Sequence, residues 1–178
     1  MLKNYNRYKV LKVFLFNPTE KFRLRELSRL AGIAPKSVMN YLEEFKNKKL
    51  ITIEEKDKIK YYGAMMDNQK LKEYTKISIL FELEECGLVD YLWNNYSPEA
   101  IILYGGFSKG EVTKESDIDI FLLGVNVADS KIDISRFETK LKREIQIMGE
   151  KTLKEIPSKE FKNNLINGVM LRGYLKVL

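Results

Sequence analysis

GGFSKGEVTKESDID, Gly105–Asp119, is the stretch whose reading decides the fold. It follows the apolar run Ile101-Ile102-Leu103-Tyr104, which predicts a strand, and it pairs a glycine turn with two aspartates separated by one residue. Side chains alternate along a strand, so Asp117 and Asp119 share one face while Ile118 and Ile120 take the other. Two neighbouring carboxylates repel each other unless a cation lies between them. A hard divalent ion such as Mg²⁺ suits such oxygens, together with phosphate oxygens. The glycines allow close backbone approach to a phosphate, and the N–H groups at a following helix start favour its charge. The segment therefore predicts a metal grip and a phosphate grip side by side.

The run continues through Phe121-Leu122-Leu123 to Gly124, then a helix is expected over Ile134–Lys142 and a strand over Arg143–Met148. Upstream, Lys70–Glu85 carries apolar residues around much of a helical circumference: Leu71, Tyr74, Ile77, Ile79, Leu80, Phe81 and Leu83. Such a helix is expected to be buried between two bodies, to pair with a second copy, or to pack on the sheet. Gly87 ends it, and Leu88–Tyr96 forms a short helix stopped by Pro98.

The first third of the chain reads differently. Tyr8–Phe16 gives an amphipathic helix stopped by Asn17-Pro18. Phe22–Gly32 gives a second, with Leu24, Leu27 and Leu30 on one face and Gly32 at its end. Pro35 opens a third running to about Lys48, with Val38, Leu42 and Phe45 spaced to pack inward. Lys36, Ser37, Asn40 and Tyr41 then fall on the outer face. Ile51–Glu55 and Ile59–Ala64 read as a hairpin around Lys56-Asp57-Lys58, with Lys56, Lys58 and Lys60 available to phosphates.

Charge is distributed to match. Sixteen of the 31 lysines and arginines, but only 8 of the 25 acids, precede residue 71, leaving that part at +8 and the remainder at −2. A basic first part on a near-neutral second predicts a polyanion-binding module joined to something else. The 178 residues suit two small domains. No apolar run approaches the length of about 20 needed to span a bilayer, and Met1-Leu2-Lys3-Asn4 lacks a signal pattern. With Cys86 as sole cysteine, no internal disulfide forms and the cytoplasm is the expected location. The absence of histidine excludes histidine-based triads and metal sites, leaving carboxylates as the catalytic candidates.

Gly105–Asp119 resembles the signature of the polymerase-beta-type nucleotidyltransferase superfamily in its minimal form: Gly-Ser, ten residues, then Asp-x-Asp. Gly105 and Gly106 hold the first pair, Ser108-Lys109-Gly110 follow, and Ser116-Asp117-Ile118-Asp119 close the motif. The resemblance implies a Mg²⁺ held by Asp117 and Asp119. It also implies a nucleoside triphosphate contacted by Gly105, Gly106, Ser108, Lys109 and Ser116. Gly106 replaces a serine that contacts the triphosphate, and Ser108 is the alternative hydroxyl. The family's third carboxylate, on the next strand, matches Gln146, a neutral amide; Glu144 lies two residues earlier on the same face. The tail Asn167–Gly173, NGVMLRG, resembles the end of small transferases that act beside a helical toxin partner.

The N-terminal part resembles the winged-helix regulators of bacteria and archaea over Tyr5–Met66, which implies double-stranded DNA as partner; a winged helix usually works as a pair on two half-sites, so a homodimer is compatible with it. The expected fold is α/β (α+β): a winged helix-turn-helix over residues 1–66, a helical bridge over 67–98, and a small mixed sheet with helices on one side over 99–178. Two functions follow. One is a DNA-binding transcriptional regulator whose transferase-like domain binds Mg-nucleotide without turnover. The other is an active nucleotidyltransferase moving AMP from ATP to a protein or other hydroxyl.

Overall fold

The computed structural model describes residues 5–129 and 132–176; Met1–Asn4, whose pattern was weighed above, lie outside them. The chain divides into two compact units, one reaching to Ser78 with Val112–Lys114, the other holding Ile79–Glu111 and Glu115 onward.

In the first unit, α1 (Asn6–Phe16) ends where Asn17 turns its side-chain amide back to the Val13 carbonyl at 2.9 Å, just before Pro18. A two-residue strand, β1 (Lys21–Phe22), precedes α2 (Leu24–Ala31). Periodicity did not announce it, because two residues carry no period. Gly32 adopts φ 65°, the left-handed conformation that closes a helix, and Pro35 opens α3 (Pro35–Asn47). Next come β2 (Ile51–Lys56) and β3 (Ile59–Ala64), in an antiparallel sheet of order β1-β3-β2. Their turn places Asp57 and Lys58 at φ 52° and 61°, so both residues of the tight hairpin are left-handed. Val38, Leu42 and Phe45 are buried as their helical spacing requires, together with Val10, Phe14 and Leu27 of the other helices and Leu50 ahead of β2. Burying each such large side chain contributes about 1.5–3 kcal/mol. Leu30 departs from its expected inward position and is 53% exposed.

The helix α4 (Gln69–Cys86) contains the division between the units. It buries a single stripe: Leu71, Thr75, Ser78, Ile79, Glu82, Leu83 and Cys86. Tyr74 and Ile77, counted as apolar cover in the sequence, face outward. Thr75 enters the stripe by donating its hydroxyl to the Leu71 carbonyl at 3.0 Å. Gly87, at φ 81°, separates α4 from α5 (Leu88–Tyr96).

The second unit is built on β4 (Ala100–Tyr104), from which α6 (Gly105–Lys109) leads towards β5 (Ile118–Leu123). A 3-10 turn (Val127–Asp129) and α7 (Ser135–Leu141) lead to β6 (Ile145–Glu150); α8 (Lys159–Ile166) and β7 (Val169–Gly173) complete it. The sheet order is β6-β5-β4-β7, with β5 and β6 parallel and the other pairs antiparallel. The sixth strand begins at Ile145, two residues later than expected, leaving Arg143 and Glu144 in the connection before it.

One face carries Ala100, Ile102, Tyr104, Phe121 and Leu123 against Ile156 and Leu165. There Phe161 of α8 sets its ring edge-on to Tyr104 at 5.3 Å and Phe121 at 5.9 Å. The alternate residues Ile101, Leu103, Ile120 and Leu122 are equally buried. The central strands are thus buried on both faces, as their near-continuous apolar runs require. The tail becomes an edge strand, tied to α5 by Arg172, which meets Asp90 at 2.7 Å and lies over the Trp93 ring. Among the described residues, no helix is long and apolar enough to cross a membrane.

Candidate functional site

The motif's residues meet where β4 ends and β5 begins. The antiparallel register sets Tyr104 opposite Asp119, and the parallel register sets Gln146 opposite Asp119 from the other side. Tyr104, Asp119 and Gln146 therefore share one sheet face, with Asp117 just ahead of β5. Gly105 turns the chain out of β4 at φ 68°. A Cβ there would collide with the Asp119 carboxylate, lying 2.9 Å from Cγ. Only glycine satisfies both the conformation and the approach.

Asp119 is half-buried. Burial and then the neighbouring Asp117 hold its carboxyl above the usual range. Burial, reinforced by Asp119, pushes the Tyr104 hydroxyl up to about 12, so it remains protonated at neutral pH and is no base. Gln146 donates its side-chain amide to Oδ2 of Asp117 at 2.6 Å. The position expected to carry a third acid thus supplies a donor. Among the described residues, no group of three or more acidic, cysteine or histidine side chains gathers to hold a metal. Asp117 and Asp119 are two hard oxygen donors beside a glycine cradle. That set fits one divalent ion whose remaining positions are filled by phosphate and water oxygens.

The other motif residues divide. Ser108 is buried and gives its hydroxyl to the Gly105 carbonyl at 2.8 Å, holding the first turn of α6. Lys109 is exposed at the end of α6, and Gly106 and Ser116 are half-buried. Arg143 was missed in the sequence. Its guanidinium donates to the Ser116 carbonyl at 3.0 Å and lies over the Phe107 ring, 5.6 Å from the centroid. Burial lowers its pKa, while Glu115 and Asp117 act in the opposite direction; it stays a cation at neutral pH. No periodic or motif signal distinguishes Arg143 from Lys142 beside it. Glu144 is exposed, and its carbonyl accepts from the Ile118 amide.

Beyond Gln146 on the same side, a cleft of about 420 Å³ is lined by Met148, Glu150, Asn126, Ile156, Phe161 and neighbouring residues. It lies towards β6, whereas the glycine turn leaves from β4.

In the first unit, Lys36 and Asn40 are exposed one turn apart on α3, and Ser37 and Tyr41 beside them are half-buried. Lys56, Lys58 and Lys60 are all exposed around the hairpin. Next to them, Arg23 stacks on Tyr61 and donates to its hydroxyl at 2.6 Å.

Residues 87–171 match the model of the "Polymerase beta, Nucleotidyltransferase" family. No curated protein matches the chain.

Proposed function

We propose, from the nucleotidyltransferase-family domain over residues 87–171, that this protein is a DNA-binding transcriptional regulator whose second unit binds a nucleoside triphosphate with one Mg²⁺ and does not turn it over. The observation carrying the reading is the amide of Gln146 donated to Asp117. In-line nucleotidyl transfer needs charge neutralised at both the attacking and the leaving oxygen, and a group to receive the acceptor's proton. A third carboxylate can serve the attacking side. An amide carries no charge, does not take up a proton at neutral pH, and here occupies a lone pair of Asp117.

Asp117 and Asp119 hold the ion, and the first-turn N–H groups of α6, reached closely across Gly105, receive the phosphates, with Lys109 at the rim. When bound, Mg²⁺ neutralises triphosphate charge. The protein's residues orient the phosphates against the sheet end, and Tyr104 keeps its proton. The helix-strand-helix-helix-hairpin order of the first unit, its exposed Lys36 and Asn40, and its lysine-bearing hairpin support a winged helix. Its α3 would enter the major groove of double-stranded DNA, with Lys56, Lys58 and Lys60 on phosphates.

Calorimetric titration with Mg·ATP, and with the other three triphosphates, tests the nucleotide half of this reading. Saturable Mg²⁺-dependent binding that disappears in Asp117→Asn is expected, with no pyrophosphate released. Absence of heat with every triphosphate would refute nucleotide binding.

A second reading, an active transferase moving AMP to a protein or other hydroxyl, draws on the cleft beyond Gln146. The cleft is lined from β5, β6 and the segment leading into α8, and no residue of α6 lines it. Labelled ATP incubated with candidate partner proteins separates the two: stable transfer of label to a protein favours this reading.

A further inference from the structure

We propose that Arg143 couples metal uptake to nucleotide uptake at the aspartate pair. Its charge keeps a bare divalent ion from settling there, so that the ion enters together with triphosphate oxygens. The inference rests on the reading that this site takes a metal–nucleotide complex.

The guanidinium is held on both sides of the motif. It donates to the Ser116 carbonyl at 3.0 Å, its face covers the buried Phe107 ring, and Asp117 and Glu115 act on it electrostatically. Phe107 belongs to the helix that follows the glycine turn, and Ser116 immediately precedes the first aspartate. Arg143 therefore ties the phosphate side of the site to the metal side. A lysine keeps the charge but cannot both fork to a carbonyl and stack on a ring.

Charge accounting gives this clamp its consequence. Gln146 contributes no charge where a third acid would, so the acidic set is Asp117, Asp119 and the exposed Glu115, opposed by Arg143. A dication arriving alone meets a carboxylate pair in which Asp117 already feels a fixed, half-buried cation. A dication arriving with phosphates brings oxygens of its own, and those phosphates are attracted by the same guanidinium. Arg143 is thus a positioning residue that favours the joint ligand over the bare ion.

The test uses the full chain and its Arg143→Lys, Arg143→Gln and Arg143→Met variants. Mn²⁺ alone is titrated and followed by the paramagnetic signal of the unbound ion; Mg·ATP is titrated by calorimetry, and thermal midpoints are recorded. Removing the charge should tighten bare Mn²⁺ binding at least about tenfold and weaken Mg·ATP by a similar factor. Arg143→Lys should follow the parent with bare Mn²⁺. Arg143→Gln retains a donor for Ser116 and serves if the methionine variant does not fold. Unchanged or weaker Mn²⁺ binding in a folded, uncharged variant overturns the proposal and leaves Arg143 a structural clamp. Should the parent bind no nucleotide, the functional reading fails, while the Mn²⁺ comparison still decides the role of Arg143.

Discussion

Gln146 donates its side-chain amide to Oδ2 of Asp117 across 2.6 Å, linking two parallel strands at the point where the motif's carboxylates meet. An acid at position 146 would face Asp117 as a like charge; the amide faces it as a donor. The carboxylate pair gains a donor by that exchange, and the chemistry the site supports is narrowed by it.

Gln146→Glu should therefore do two opposite things. Without metal, three carboxylates would crowd the sheet end, and because Gln146 is exposed and water screens the repulsion, stability at neutral pH should fall by no more than about 1 kcal/mol. With Mn²⁺ or Mg²⁺, affinity for the ion should rise. Thermal midpoints with and without metal measure both effects; a variant unmoved in either condition would show that residue 146 does not face the ion.

Asp119 carries a carboxyl raised by burial and by Asp117. A raised acid binds more protons folded than unfolded across the interval between its two pKa values. Its contribution to stability is present below the unfolded value and is lost as pH rises through the interval. Asp119→Asn should abolish Mg·ATP binding yet raise the midpoint at neutral pH, and this gain should shrink in acid. A midpoint difference that stays constant from pH 3 to 8 would refute the assignment.

Gly105→Ala should cost about 1–2 kcal/mol for the left-handed backbone alone, with a further penalty because the new methyl meets the Asp119 carboxylate. Urea denaturation measures the loss. Nucleotide binding should vanish even where the protein remains folded.

The β2–β3 hairpin separates charge from conformation at one residue. Lys58 sits at φ 61°, so Lys58→Gly should stabilise the hairpin by up to about 1 kcal/mol. If the hairpin is a wing on DNA, the same change should weaken binding and flatten its salt dependence, as should Lys58→Ala and Lys36→Ala. A gel-shift midpoint that does not move through a salt series would remove the DNA reading.

Much of this arrangement was legible locally. The extents of α1, α3, α4 and α5, the β2–β3 hairpin and the strand–turn–helix–strand motif follow from 3.6- and 2-residue periods broken by Gly, Pro and Asp-Lys. These forces act within a few residues. The aspartates could be placed on one face because strand alternation does so wherever the strand packs. What the sequence could not decide rests on neighbours remote in the chain. The two residues of β1 are held by Gly63 and Tyr62, and the tail becomes a strand because β4 offers an edge. Leu30 continues a helical stripe on paper but faces outward in the folded unit. Above all, the sequence shows that Gln146 is not an acid. Only the parallel pairing of β5 with β6 brings its amide to Asp117, and only the fold sets Arg143 between Phe107 and Ser116. Hydrogen bonds and fixed charges reach a few ångströms through space, while periodicity reports only along the chain.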